Sequence, residues 1–369
     1  MDFRYPVYKP YFTGKERDYV LDCIDSTWIS SKGKYIGEFE GKFARYLEMP
    51  HALSVSNGTV ALHLALQALG IGPGDEVLVP TLTYIASANA VTYTGAKVVF
   101  VDSDVDYWQI DINDARRRIT PRTRAIMPVH LYGHACDMGA VLALAREHDL
   151  FVIEDCAEAI GTRYAGQLVG TFGHIGCFSF FGNKTITTGE GGMLVTRDST
   201  IADRIARLKG QGLAKDREYW HDIVGYNYRM TNICAAIGSA QMEAIDEVLG
   251  RKRALAATYS EALRGLPLEL HREQQGTVHS YWMVTMLLDD PYHRDPLRSH
   301  LKLAGIETRP LFHPLHQMNM YLRPGESYAV ADMIAPRGVN LPSYPDLSDG
   351  DVHEIAGSIR GYFEQVKGQ

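Results

Sequence analysis

The sequence predicts an α/β protein: a large domain built on a doubly wound, largely parallel sheet, followed by a smaller α+β unit. Two observations carry this. Through the first half, short apolar runs alternate with helical patterns, and the runs lack the polar alternation of half-exposed strands, as in sheets covered on both faces. After about residue 230 the texture changes to one long helical stretch and then to short mixed elements.

The elements follow in order. "HALSVSNGTVALHLALQALG" reads as a strand, a tight turn and a buried helix, and "DEVLVPTLTYIASANAVTYTG" as strand, loop and helix. "AKVVFVDSD" and "RAIMPVHLYG" read as strands, "MGAVLALAREHD" as a helix, and "LFVIEDCAEAIG" as a strand ending in acids. "AAIGSAQMEAIDEVLGRKRALAATYSEAL" has apolar residues at three- and four-residue spacing and reads as one continuous helix able to link two domains. "HSYWMVTMLL", "RDPLRSHLKLAG", "IETRPLF" and "GDVHEIAGSIRGYFEQV" supply the strands and helices of the second unit. The expected division is a large domain over 1–248 and a small one over 249–369.

A chain of 369 residues is too long for one ordinary core. Hydrophobic content of 46% and charged content of 22% are those of a globular protein, not a disordered one. A net charge of -7 gives no global field for nucleic acid or an anionic membrane, although a local arginine cluster still suits a small anion. The cysteines Cys23, Cys136, Cys156, Cys177 and Cys234 are odd in number, scattered and without a CxxC pair. That argues against a disulfide framework or a zinc site, and a reducing, cytoplasmic setting is expected. "MDFRYPVYKPYF" has no apolar core, so no secretory signal is expected, and no run of about 18 apolar residues suggests a span.

Three places carry chemistry. In "SNGT", Ser56, Asn57, Gly58 and Thr59 stand between a strand and a helix N-terminus, where free amides favour a phosphate; an ordinary N-cap is the alternative. In "VIEDCAEA", Asp155 ends a strand facing the ligand crevice, where a protonated heterocyclic nitrogen would be a partner; a helix cap is the alternative. In "SFFGNKTITTGEGGM", Ser179 and Lys184 sit among apolar residues and glycines, and lost hydration would make the amine a better nucleophile; a solvated loop lysine is the alternative. Taken together, a phosphate cradle, an acid and a lysine, in that chain order, are what pyridoxal 5′-phosphate (PLP) needs.

These segments, with "STWISSKGKYIGEFE", "VPTLTYIAS", "VHLYGH", "GYNYRMTNICAAIG" and "ETRPLFHPLH", resemble the DegT/DnrJ/EryC1/StrS family of sugar aminotransferases over nearly the whole length. The resemblance implies a fold-type I PLP enzyme with a mixed, mostly parallel seven-stranded sheet. It implies Lys184 as the Schiff-base lysine, Asp155 as partner of the pyridine nitrogen, and Gly58, Thr59 and Ser179 around the phosphate. Tyr84 would stack on the cofactor ring, and Asn227 would reach the phosphate of a neighbouring subunit, making a homodimer with shared sites. Glu158 stands where many members carry a glutamine that contacts the cofactor's phenolic oxygen; a glutamate there must share a proton or repel an ionised oxygen.

Arg309 and His313 are candidate substrate contacts, since arginine suits a carboxylate or diphosphate, with a surface ion pair as the alternative for Arg309. Trp28, Ser30 and Lys32 are expected near a sugar nucleotide. His63, on an apolar helix, reads as a packed core histidine. The combination of "STWISSKG", "FSFFGNKTITTGEGGM" and "KGQGL" narrows the resemblance to members acting on a GDP-linked 4-keto sugar with L-glutamate as amino donor. Three other readings fit less well. PLP-dependent sugar dehydratases of this fold carry histidine in place of the lysine, and a nicotinamide enzyme would show GxGxxG where this chain has "SNGTVAL". A catalytically silent relative would have no need of the lysine and acid.

Overall fold

The computed structural model describes residues 3–367. Residues 1–2 and 368–369 of the expected domains lie outside that range. The strands are β1 (His51–Val55), β2 (Glu76–Pro80), β3 (Lys97–Val101), β4 (Thr123–Ile126), β5 (Phe151–Asp155), β6 (Arg163–Tyr164), β7 (Gln167–Leu168), β8 (Ile175–Ser179), β9 (Gly192–Thr196), β10 (Leu268–Leu270), β11 (Thr277–Val278), β12 (Val284–Leu288), β13 (Arg309–Pro310) and β14 (Gly338–Leu341). The α-helices are α1 (Lys15–Asp25), α2 (Lys34–Leu47), α3 (Gly58–Ala68), α4 (Ala86–Tyr93), α5 (Ile112–Arg118), α6 (Met138–His148), α7 (Ser199–Lys209), α8 (Asn232–Glu243), α9 (Ile245–Ala262), α10 (Arg294–Leu303), α11 (Ala329–Ile334) and α12 (Asp349–Lys367).

Seven strands form the main sheet in the order β1-β9-β8-β5-β4-β2-β3. β3, β2, β4, β5 and β8 run parallel, while β9 pairs antiparallel with both β8 and β1. Every residue of β2, β8 and β9 is buried, which explains why their interiors lack polar alternation. α3 is buried around most of its circumference, and the Asn57 side chain caps it by accepting from Val60 N. On the other face, α2 buries Tyr35, Phe39, Phe43 and Leu47, spaced four apart, against Phe178 and Phe180 at the end of β8.

A second sheet, β10-β12-β14-β13, is packed with α9, α10 and α12 around a separate apolar cluster. Tyr5 joins that cluster, and its backbone pairs with Gly305 and Glu307. The N-terminal segment therefore returns to the second unit. Within α9, Ile245 packs with α2 while Leu255, Ala256 and Tyr259 pack with the second sheet, so we propose a division within α9, where residue 248 lies, with Tyr5 assigned to the later unit.

Several expectations are corrected. The long helix is two helices, α8 and α9, broken at Ala244 (φ −107°, ψ 6°). No glycine or proline marks the break. "HSYWMVTMLL" becomes a strand only from Val284, because Tyr281 is left-handed (φ 50°) and turns the chain. "IETRPLF" contributes only a two-residue strand. The cysteines are all free, four of them buried, as their scatter suggested. Among the described residues no helix is long and apolar enough to cross a membrane.

Candidate active site

Lys184 lies in the turn between β8 and β9. The turn's carbonyls are held from the second half and the N-terminus: Trp282 Nε1 donates to Asn183 O (2.6 Å) and the Tyr8 hydroxyl to Lys184 O (2.7 Å). The lysine side chain is 12% exposed. Its Nζ sits 3.9 Å from the centroid of the Trp282 ring and 3.7 Å from Glu158 Oε1. Burial pulls the amine's pKa below the usual lysine value, with Glu158 and Asp155 opposing. A desolvated amine with a depressed pKa is what attack on a carbonyl requires.

Asp155 is the last residue of β5, at the carboxyl end of a parallel strand and the edge of the expected crevice. The Ser87 hydroxyl donates to its Oδ2 (2.7 Å) and Ala157 N to its Oδ1 (3.1 Å). Burial pushes the carboxyl pKa up, while these hydrogen bonds and Lys184 hold it down. Three residues on, Glu158 Oε2 accepts from Tyr132 N (2.8 Å). Burial raises that carboxyl to about 7, Lys184 opposing. Behind them His130, Glu154 and Cys156 converge. Their atoms are committed to the fold: Cys136 N donates to His130 Nδ1, and Glu154 accepts from the amides of Gly170, Phe172 and Gly173.

The "SNGT" turn packs against Ser179, the last residue of β8. A Cβ on Gly58 would lie 2.7 Å from Ser179 Cβ, so only glycine allows α3 to start that close to the end of β8. The cap reading of "SNGT" is observed, and the geometry leaves room for the phosphate reading beside it. Asn57 caps the helix, and Gly58 and Thr59 stand in the first turn, whose amides precede the helical ladder. Within "SNGT" the Asn57 side chain serves the cap.

A cavity of about 480 Å³ opens beside the lysine turn, lined in part by Asn183, Trp282, Tyr84, Phe312, Arg309 and His313. Tyr84, Arg309 and His313 are thus brought together. Arg309 is also ion-paired with Glu307 (2.9 Å), so the alternative reading of that residue is present as well. Trp28, Ser30 and Lys32 lie elsewhere, in an exposed loop. Asn232 holds that loop: it donates to Trp28 O (2.7 Å) and to Ser30 O (2.6 Å) and accepts from Tyr35 N (3.0 Å). Asn227 is exposed, in a segment whose next residue, Tyr228, accepts from Ser56 N (2.8 Å). His63 is buried among Tyr93, Tyr226 and Tyr228, a packed histidine as expected.

The residues fit PLP. On either side of Lys184, Asn183 Oδ1 and Thr185 Oγ1 are buried without a partner among the described residues, and the Gly58–Ser179 approach leaves a cradle that a side chain would fill. The family model for DegT/DnrJ/EryC1/StrS aminotransferases matches residues 10–360. The chain belongs to this aminotransferase family. Its relatives include a GDP-perosamine synthase of Escherichia coli O157:H7, 56% identical over 97% of this chain and 98% of the relative. One from Vibrio cholerae is 51% identical over 98% and 100%. Among solved structures, S. venezuelae DesV, in complex with a ketimine intermediate, superposes with a TM-score of 0.90 at 37% identity, covering 95% of this chain and 94% of that one. A putative sugar aminotransferase from Streptococcus pneumoniae in a PLP form gives 0.93 at 26% identity over 99% and 100%. The family and these neighbours imply pyridoxal phosphate as cofactor.

Sequence reasoning missed Ser87, Trp282, Tyr8 and Asn232. The hydroxyl of Ser87, one residue into α4, has no local signature, and the others act across the chain.

Proposed function

We propose that this chain is a PLP-dependent sugar-nucleotide 4-aminotransferase. In this reading it converts GDP-4-dehydro-6-deoxy-D-mannose and L-glutamate into GDP-perosamine and 2-oxoglutarate, supplying an amino sugar for O-antigen. What supports it most is near-full-length similarity to relatives named GDP-perosamine synthase, at 56%, 51% and 48% identity, in a chain that keeps a buried Lys184 beside Asp155.

PLP, when bound, supplies an aldehyde for the amine and a ring that withdraws electrons. The chain's residues do the rest. Lys184 Nζ takes and returns the proton of the reacting carbon, which its depressed pKa suits. Asp155, oriented by Ser87 and Ala157 N, holds a proton on the ring nitrogen. Gly58, Thr59 and Ser179 bind the phosphate, Tyr84 covers one ring face, and Glu158 contacts the phenolic side. Arg309 and His313 receive the anionic parts of the substrates, with Trp28, Ser30 and Lys32 on the sugar nucleotide. Asn227 reaches a partner subunit's phosphate, so the working unit is a homodimer in the cytoplasm.

The test is a panel of keto-sugar nucleotides offered with glutamate to the cofactor-loaded enzyme, scored by mass spectrometry. Amination of the GDP-linked 4-keto sugar with stoichiometric 2-oxoglutarate is expected. Amination of another nucleotide sugar alone, or loss of a hydroxyl without glutamate consumption, contradicts the reading. Sedimentation of the same preparation reads the dimer.

A further inference from the structure

Lys252, on α9, is 1% exposed, and its one hydrogen bond among the described residues runs from Nζ to Ser343 O (2.7 Å). A buried amine without a carboxylate costs stability, and a core needing only volume there would use methionine or leucine. The surroundings give the amine a task. Ser343 N donates to Val7 O (3.1 Å), and Val7 N donates to Glu307 Oε2 (2.9 Å), the carboxylate that pairs with Arg309. The next residue, Tyr8, presents its ring 5.1 Å from Lys252 Nζ and its hydroxyl to Lys184 O. Burial raises the Tyr8 pKa, so the hydroxyl remains a donor.

We infer that Lys252 is a positioning residue for the reaction: its buried amine fixes the Val7–Tyr8 strap, which sets both the backbone of Lys184 and the carboxylate that aims Arg309. The strap bonds to Glu307 in the cavity wall and to Lys184, next to the lining residue Asn183. Val7 and Tyr8 line the cavity, as do Glu307, Arg309 and Asn183. Lys252 touches none of the reacting groups and acts only through Ser343 and Tyr8. The inference rests on the proposed roles of Lys184 and Arg309.

The experiment compares Lys252→Met, Tyr8→Phe and the double variant in PLP-loaded enzyme. Its readouts are kcat, KM for the amino donor, and the pH midpoint of the cofactor's visible absorption. Tyr8→Phe is expected to lower kcat roughly tenfold and to move the midpoint, since small misplacements at a reacting group carry such losses. Lys252→Met should do the same and also raise the donor KM, through Arg309. The double variant should lose no more than Lys252→Met alone. Lys252→Gln, which keeps a donor for Ser343 O, should recover part of kcat and replaces Lys252→Met should that protein fail to fold. Multiplying losses, or an unmoved midpoint in the Lys252 variants, overturn the inference. A wild-type protein without the visible band instead overturns the PLP reading itself.

Discussion

Lys184 Nζ stands 3.7 Å from Glu158 Oε1, and burial acts on both groups, pulling the amine's pKa down and raising the carboxyl to about 7. The pair sits beside Asp155, also raised by burial. Removing the Glu158 charge therefore removes the largest influence that holds the Lys184 pKa up. In Glu158→Gln, the pH midpoint for amine reactivity in cofactor-free protein should fall. Rate of PLP capture against pH reads it, and an unchanged midpoint would show that the two groups are not coupled.

Ser87→Ala should weaken the enzyme through Asp155. The hydroxyl lowers the carboxyl's pKa, and its loss leaves Asp155 easier to protonate. Hydrogen bonds to charged groups are worth about 1.5–3 kcal/mol, so kcat should drop roughly 10- to 100-fold. The loss should deepen as pH falls, because a raised carboxyl pKa moves protonation toward the working range. A pH–rate profile parallel to wild type would refute the link.

Gly58→Ala places a Cβ 2.7 Å from Ser179 Cβ, at the entrance of α3. Cofactor affinity should fall at least about tenfold, since backbone and ligand no longer approach closely. Gly250→Ala, with nothing within 4 Å of the added carbon, is the control and should bind PLP as wild type does. Equal affinity in both variants would contradict the cradle.

Lys252 makes stability depend on pH. Burial lowers its pKa from 10.5 to about 7, so between those values the unfolded chain binds the extra proton and stability rises with pH. Below about pH 7 both states are protonated and the contribution is flat. Denaturant unfolding at pH 7 and pH 9 should show wild type gaining on Lys252→Met by about 2–3 kcal/mol. Parallel changes in the two proteins would place the amine in water.

Much of the site could be read in the sequence because it is built from local units. β1, its turn and α3 are contiguous, β5 ends at Asp155, and the lysine turn joins two adjacent strands. Each unit declares itself through apolar runs and turn residues within about twenty positions. What escaped lies in contacts between distant segments: Tyr8 with Lys184, Trp282 with Asn183, and Asn232 with Trp28. A tyrosine in an N-terminal segment or a tryptophan before a strand looks the same whether it holds the lysine turn or fills a core. The helix break at Ala244 escaped for a different reason. Its residues are good helix formers, and the bend comes from α8 packing on α1 and α2 while α9 packs on α12.

The central claim is that Lys184, and no other amine, joins covalently to the cofactor. Borohydride reduction of PLP-loaded protein, followed by peptide mass mapping, tests it most directly. The account predicts a single pyridoxyl adduct on the peptide holding Lys184, absent in Lys184→Ala, which should also lose turnover. An unmodified Lys184 peptide, or an adduct on Lys252 or another lysine instead, would contradict it.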